Sequence, residues 1–232
     1  MSTRLPQDLS PLDDTGRLSV FESPLFERTP DPELQALVSE ATTVSGYPIA
    51  LVSLVAHKIQ FFRAQVGLPP DLSAALATDR CTSFCQFVVA GEQSLLIEDA
   101  AREPGLPKDL VDRYGIRAYA GFPLRVMGRT VGSFCVIDAK PGRLEPSVLA
   151  RLSELARQAT ARLDVLARQV PPGELRSEAE QKAHQAWMAV AEAQPLLSLS
   201  EQFASGRLSF DEFQRGLGAL AGLAGATSRA TF

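Results

Sequence analysis

Apolar positions along the chain recur at two periods. Between residues 31 and 46, Leu34, Leu37, Val38, Ala41 and Val44 return in steps of three and four, the spacing of one helix face. Asp31 ahead of Pro32 supplies a capping carboxylate and a residue pre-set for the first turn, and Gly46 closes the helix. Over 48–56 and 58–66 the period drops to two, with apolar residues on both sides, as in strands sandwiched between two layers. Phe61 and Phe62 then point to opposite faces. Segment 68–77 reads as an irregular or briefly helical lid, and Thr82 is placed to cap a short helix carrying Phe84, Cys85, Val88 and Val89. A strand over 94–98 and a short helix over 107–114 follow. Two more apolar runs, 118–126 and 131–137, are joined by Met127, Gly128 and Arg129. Gly128 provides the positive φ of a tight reversal, so the pair predicts a β-hairpin. Pro123 has no backbone donor, which places its strand near an edge or a bulge there.

From Pro146 a helix of about six turns is predicted. Leu149, Leu152, Ala156, Ala159, Leu163, Leu166 and Val170 form a seam at heptad spacing. Its first half is expected to pack on the domain's own sheet. Leu163, Leu166 and Val170 are expected to pass beyond the sheet and meet a partner helix in a homodimer. Pro171, Pro172 and Gly173 stop the helix. An Ala-rich helix over 174–194 presents Leu175, Ala179, Ala183, Ala186, Trp187 and Val190 on one side, and Trp187 is the expected anchor for a protein partner. Ser209 with Glu212 matches a capping box for a last helix over 210–223. Residues 1–29 show no period and read as an irregular arm. The chain thus divides into an arm (1–29), a domain ending in a long helix (30–170) and a helical extension (171–232). The fold class is α+β, an antiparallel sheet between helices.

Composition narrows the function. The 232 residues are 45% hydrophobic with a net charge of −4, and charges of both signs are mixed throughout. Nucleic acid as the main partner needs a concentrated basic face instead. No apolar run approaches the ~20 residues of a membrane span, so no membrane role is expected. Three cysteines make no disulfide framework, and two histidines away from ligand spacing complete no zinc set. A reducing cytoplasm is the expected location. Phosphate-cradling glycine loops, nucleophile elbows and His-Glu-x-x-His are absent.

Five short motifs, in order, carry a family resemblance. Tyr119-Ala-Gly-Phe-Pro-Leu124 and Val131-Gly-Ser-Phe-Cys-Val-Ile-Asp138 resemble the closing hairpin of a bacterial GAF domain. Upstream, 49–55, Phe61-Phe62, Ser83-Phe84-Cys85 and Ile97-Glu-Asp-Ala100 resemble its other landmarks, so the likeness covers about residues 30–170. The resemblance implies a GAF-like sheet with a small-molecule pocket between one sheet face and a lid formed by 83–89 and 99–114. Its lining would be Phe62, Phe84, Cys85, Tyr114, Tyr119 and Phe122, with Asp99 and Tyr119 as polar tips. That suits a small planar or amphipathic ligand of unspecified identity, and no cofactor is assigned. The bland alternatives are that the aromatics fill the core and that Asp99 caps its loop.

The catalytic branch of the resemblance, free methionine-R-sulfoxide reductase, needs a cysteine over 110–117, and none is there. Bilin-holding relatives pair their cysteine with a following histidine, whereas Cys81 precedes Thr82 and Cys85 precedes Gln86. The Asn-Lys-Phe-Asp-Glu signature of the cyclic-nucleotide-binding phosphodiesterase domains is also missing. The expectation is a non-catalytic sensory or regulatory protein that binds a small ligand, a protein partner or both. A thiol sensor using Cys81 and Cys85, or an adaptor with a filled pocket, are the alternatives.

Overall fold

The structure is a computed structural model that describes residues 5–22, 25 and 27–168. Val170, Trp187 and the predicted helical extension lie outside the described residues. Among the described residues six strands, β1 (Ile49–Val55), β2 (Ile59–Val66), β3 (Ala77–Asp79), β4 (Leu95–Ile97), β5 (Ala118–Val126) and β6 (Arg129–Asp138), form one sheet in the order β3-β2-β1-β6-β5-β4. Every neighbouring pair is antiparallel. The β5–β6 hairpin turns on Met127 (φ 50°) and Gly128 (φ 76°), two successive left-handed residues as a two-residue hairpin loop requires. Pro123 is tolerated because β4 pairs β5 only from Tyr119 to Gly121, so the outer side of β5 is open by residue 123. A bulge follows between Leu124 and Arg125.

The central strands β1 and β6 are buried on both faces, as their uninterrupted apolar runs predict. Gly132 makes their contact possible. A Cβ there would stand 2.0 Å from the Ser53 carbonyl oxygen on β1. One face carries α2 (Pro32–Ser45) and α6 (Pro146–Arg168), which pack Leu34, Val38, Leu152, Leu155 and Leu163 on Val52, Leu54, Phe122, Phe134 and Val136. Asp31 caps α2 by accepting from the Leu34 amide at 3.0 Å, and Gly46 ends it at φ 71°. The other face carries α3 (Pro70–Ala75), α4 (Cys85–Gly91) and α5 (Asp109–Tyr114) over Leu51, Val55, Phe62, Tyr119, Cys135 and Ile137. The architecture is therefore α+β, a single antiparallel sheet between two helical layers.

Several expectations change. Leu163 and Leu166, expected on a partner helix, are 0% and 9% exposed and belong to the core under α6. The sheet reaches further along the helix than expected, because the long hairpin extends beneath its last turns: the Met127 amide donates to Asp164 at 2.9 Å and the Arg125 amide to Thr160 at 3.3 Å. The arm is not irregular where it is described. It forms a 3-10 turn (Ser10–Asp13), helix α1 (Thr15–Leu18) and a second 3-10 turn (Ser19–Glu22). Its Leu12 enters the core, and its buried Arg17 donates to the carbonyls of Val55 and Leu12. The short strand β3 is absent from the sequence reading, three residues being too few to show a period. Thr82 caps nothing. Its hydroxyl donates to the Asp79 carbonyl in a 3-10 turn (Arg80–Thr82), and Ser83 Oγ accepts the Cys85 amide at 3.0 Å instead.

Candidate functional site

The sheet face beneath α4 and α5 holds a small polar island inside an apolar core. Strand alternation builds it. Ser53 on β1, Ser133 and Cys135 on β6, and Tyr119 on β5 share one face, and the first residue of α4, Cys85, comes down from above. Tyr119 lies along its own strand over Gly121. A Cβ at residue 121 would meet the phenol oxygen at 2.2 Å, so only glycine leaves room for the ring. The Tyr119 hydroxyl donates to Cys85 Sγ at 3.4 Å and shares a hydrogen bond with Ser133 Oγ at 3.1 Å. Phe84 closes the ring's other side edge-on, centroids 5.6 Å apart at 78°. Cys85 and Cys135 face each other at 3.9 Å between sulfurs, both buried. Ser53 Oγ is buried without a hydrogen-bond partner.

Burial pushes all three titratable groups up, since the anion loses its hydration. Cys135 stays well above the ordinary thiol range, by burial and then by its neighbour Cys85. Tyr119 is likewise held well above the ordinary phenol value, by burial and then by the two sulfurs. Cys85 goes the other way: burial opposes its thiolate, but hydrogen bonds from Cys135 and Tyr119 bring it down to about 6. The hydrogen bonds of the island thus converge on the Cys85 sulfur, which they favour as the anion relative to Cys135. Among the described residues no buried carboxylate, lysine or histidine stands beside these thiols, so the island offers a nucleophile without a general base. Among the described residues no group of three His, Cys, Asp or Glu side chains is arranged to hold a metal ion.

Of the expected lining residues, Phe62, Phe84, Cys85 and Tyr119 come together here, and Tyr114 packs half-buried at the margin. Phe122 does not. It sits three residues from Tyr119 on the same strand, hence on the opposite face, under α6. Asp99 is also elsewhere engaged. It receives Arg117 through two bonds of 2.7 and 2.9 Å and accepts the Ala101 amide at 3.2 Å, which holds the loop after β4. The Arg117 guanidinium keeps its carboxyl below the usual range. Cys81 is exposed while Cys85 is buried, so the two thiols of the expected pair occupy different environments. Ser53, Ser133, Cys135 and Gly121 escaped the sequence reading as site residues. The period-two alternation of β1, β5 and β6 contains them, but nothing local marks a serine or glycine inside an apolar strand as part of a site.

Two surface concavities lie away from this face. One, of about 440 Å³, runs between β5 and α6 along Phe122, Arg125, Glu154, Arg157 and Thr160. The other, of about 280 Å³, is lined by His57, Lys58, Asp79, Arg80 and Cys81. No helix among the described residues is long and apolar enough to cross a membrane.

Comparison with known proteins gives a consistent picture. The family model of the GAF domain matches residues 29–163. A cyclic di-GMP phosphodiesterase of Pseudomonas aeruginosa is 35% identical over 146 residues, which take in 61% of this chain and 24% of that protein. The chain therefore spans about a quarter of that relative's length. Among solved structures, the GAF domain of the Acinetobacter phosphoenolpyruvate-protein phosphotransferase superposes with a TM-score of 0.51 at 13% identity, covering 69% of this chain and 99% of that one. The type II free methionine-R-sulfoxide reductase of Thermoplasma acidophilum gives a TM-score of 0.48 at 16% identity, over 57% of this chain and 91% of that one.

Proposed function

The chain belongs to the GAF domain family, and on that premise we propose that it is a non-catalytic regulatory module that acts on a protein partner in intracellular signalling. The observation that carries this reading is the closure of the site face. Tyr119 lies over Gly121, Phe84 meets its ring edge-on, and the sulfurs of Cys85 and Cys135 face each other beside it, all four side chains being buried. A face packed in this way transmits force between its layers, because close-packed interiors respond to displacement as a unit. It presents neither a base beside its thiol nor a thiol over 110–117. The likeness to a stretch of a cyclic di-GMP phosphodiesterase supports a place in second-messenger signalling, with the chain on the regulatory side. Three free thiols suit a reducing compartment such as the cytoplasm.

The test is to assay the purified chain for cyclic di-GMP hydrolysis and for reduction of free methionine sulfoxide, and to examine it by native mass spectrometry. No turnover and no retained small molecule are expected. Turnover of either compound overturns the non-catalytic reading. A small molecule that co-purifies and is lost from Tyr119→Leu overturns the closed face.

A further inference from the structure

We propose that Cys85 and Cys135 are a peroxide-oxidisable pair, a modification site that closes a disulfide between α4 and the centre of the sheet. Two sulfurs 3.9 Å apart need to approach to about 2.05 Å to bond, a movement that side-chain rotation and a small shift of α4 supply. Their positions give that bond structural leverage. Cys135 lies on β6, the strand paired to both β1 and β5, and Cys85 opens the helix that covers them. Their neighbours also divide the roles. The Tyr119 hydroxyl points at Cys85 Sγ and stabilises negative charge there. Cys135 is placed to attack what forms on Cys85. The low value of the Cys85 thiol, about 6, agrees with this division.

The step balances with hydrogen peroxide as the oxidant. The Cys85 thiolate attacks one peroxide oxygen, the O–O bond breaks, and the other oxygen leaves as water with the proton that the Cys85 thiol gave up. Cys85 is then a sulfenic acid. The Cys135 sulfur attacks the Cys85 sulfur, the S–O bond breaks, and hydroxide leaves as water with the Cys135 proton. Two thiols lose two electrons in all, and peroxide is reduced to two waters. Burial does not exclude so small an oxidant, and it does exclude bulkier reagents, which gives the pair selectivity that the exposed Cys81 lacks. Nothing in this proposal depends on the regulatory reading above. Enzymatic turnover would sink that reading and leave the thiol pair as it stands.

The experiment exposes the intact chain to hydrogen peroxide, quenches with acid, blocks free thiols under denaturing conditions and maps the peptides. The expected product is an intramolecular Cys85–Cys135 cross-link that dithiothreitol reverses. It should form equally in Cys81→Ser, an exposed substitution that leaves the core untouched, and be lost from Cys85→Ser and Cys135→Ser. If either buried variant fails to fold, the wild type and Cys81→Ser decide the matter alone. Recovery of both buried thiols free while Cys81 oxidises overturns the proposal, and so does a Cys81–Cys85 link.

Discussion

Asp31 and Arg162 are joined across the helical layer, Arg162 Nη2 to Asp31 Oδ2 at 2.7 Å, while Asp31 Oδ1 caps α2 through the Leu34 amide at 3.0 Å. One carboxylate thus starts one helix and anchors another that lies far away in sequence. Arg162 also reaches Glu33 at 3.1 Å, so the first turn of α2 is tied to α6 twice. Together with Arg151, whose Nε donates to Glu40 at 2.8 Å further along, the pair ties these helices side by side on the sheet. It adds a directional contact to the apolar packing of Leu34, Val38, Leu155 and Leu163 beneath the two helices.

Acid sensitivity follows from this carboxylate. Burial pushes Asp31 up, but the bonds from Arg162 and the Leu34 amide outweigh it and leave it below its ordinary value. A folded value below the unfolded one contributes stability that is present above about pH 4 and is lost as pH falls through the folded value. Asp31→Asn should therefore be less stable than wild type at pH 7, with the gap narrowing below about pH 4. Asp31→Ala, which removes cap and ion pair together, should cost about 2–3 kcal/mol at pH 7. Denaturant melts at stepped pH measure both; a gap that does not change with pH would contradict the assignment.

The same residue shows what was legible in the sequence. Asp31 before Pro32 announced the cap, because capping is decided by residues a few places apart. Its second role, with Arg162, is a contact between residues 131 apart and has no local signature. The hairpin, its turn and the edge position of Pro123 were readable for the same reason as the cap. The depth to which β5 and β6 run beneath α6 was not, and that hid the burial of Leu163 and Leu166. At the site, alternation correctly separates Tyr119 from Phe122, and the family likeness wrongly joined them, since a ligand-lining list inherited from a fold ignores which face each side chain takes.

Leu163 supplies a direct check of α6. With the side chain fully buried against its own sheet, Leu163→Ala should cost about 2–5 kcal/mol, and Leu163→Asp should unfold the domain rather than release a folded monomer. Val165, two residues on and 46% exposed, should accept Asp with a change of no more than about 0.5 kcal/mol. Thermal melts paired with sedimentation read stability and assembly together. A soluble, folded Leu163→Asp would mean that the helix end does not belong to the core.

Thiol labelling should divide the cysteines by burial. Maleimide at neutral pH should modify Cys81 in the folded protein and leave Cys85 and Cys135 to react only as the domain opens. Burial and the neighbouring Asp79 push the Cys81 thiol up, so its labelling should still be rising as pH passes the ordinary thiol value. Cys81→Ser should remove the fast phase entirely. Fast labelling of Cys135 in the native protein would contradict the packing described for β6.

Gly121 offers the sharpest test of the closed face. A methyl group there would stand 2.2 Å from the Tyr119 phenol oxygen and 2.6 Å from the carbon that bears it. The ring cannot swing away cheaply, because Phe84 stands edge-on beside it and its hydroxyl is committed to Cys85 and Ser133. Gly121→Ala should accordingly destabilise the domain by about 1–3 kcal/mol, the usual cost of overpacking. Replacing the ring with the shorter Tyr119→Leu removes the atoms that clash, so the cost of Gly121→Ala should largely vanish in that background. A double-mutant cycle measured by denaturant melts isolates this coupling. Additive losses would mean that Tyr119 does not lie over Gly121, and the closure of the face, together with the regulatory reading built on it, would fall with that result.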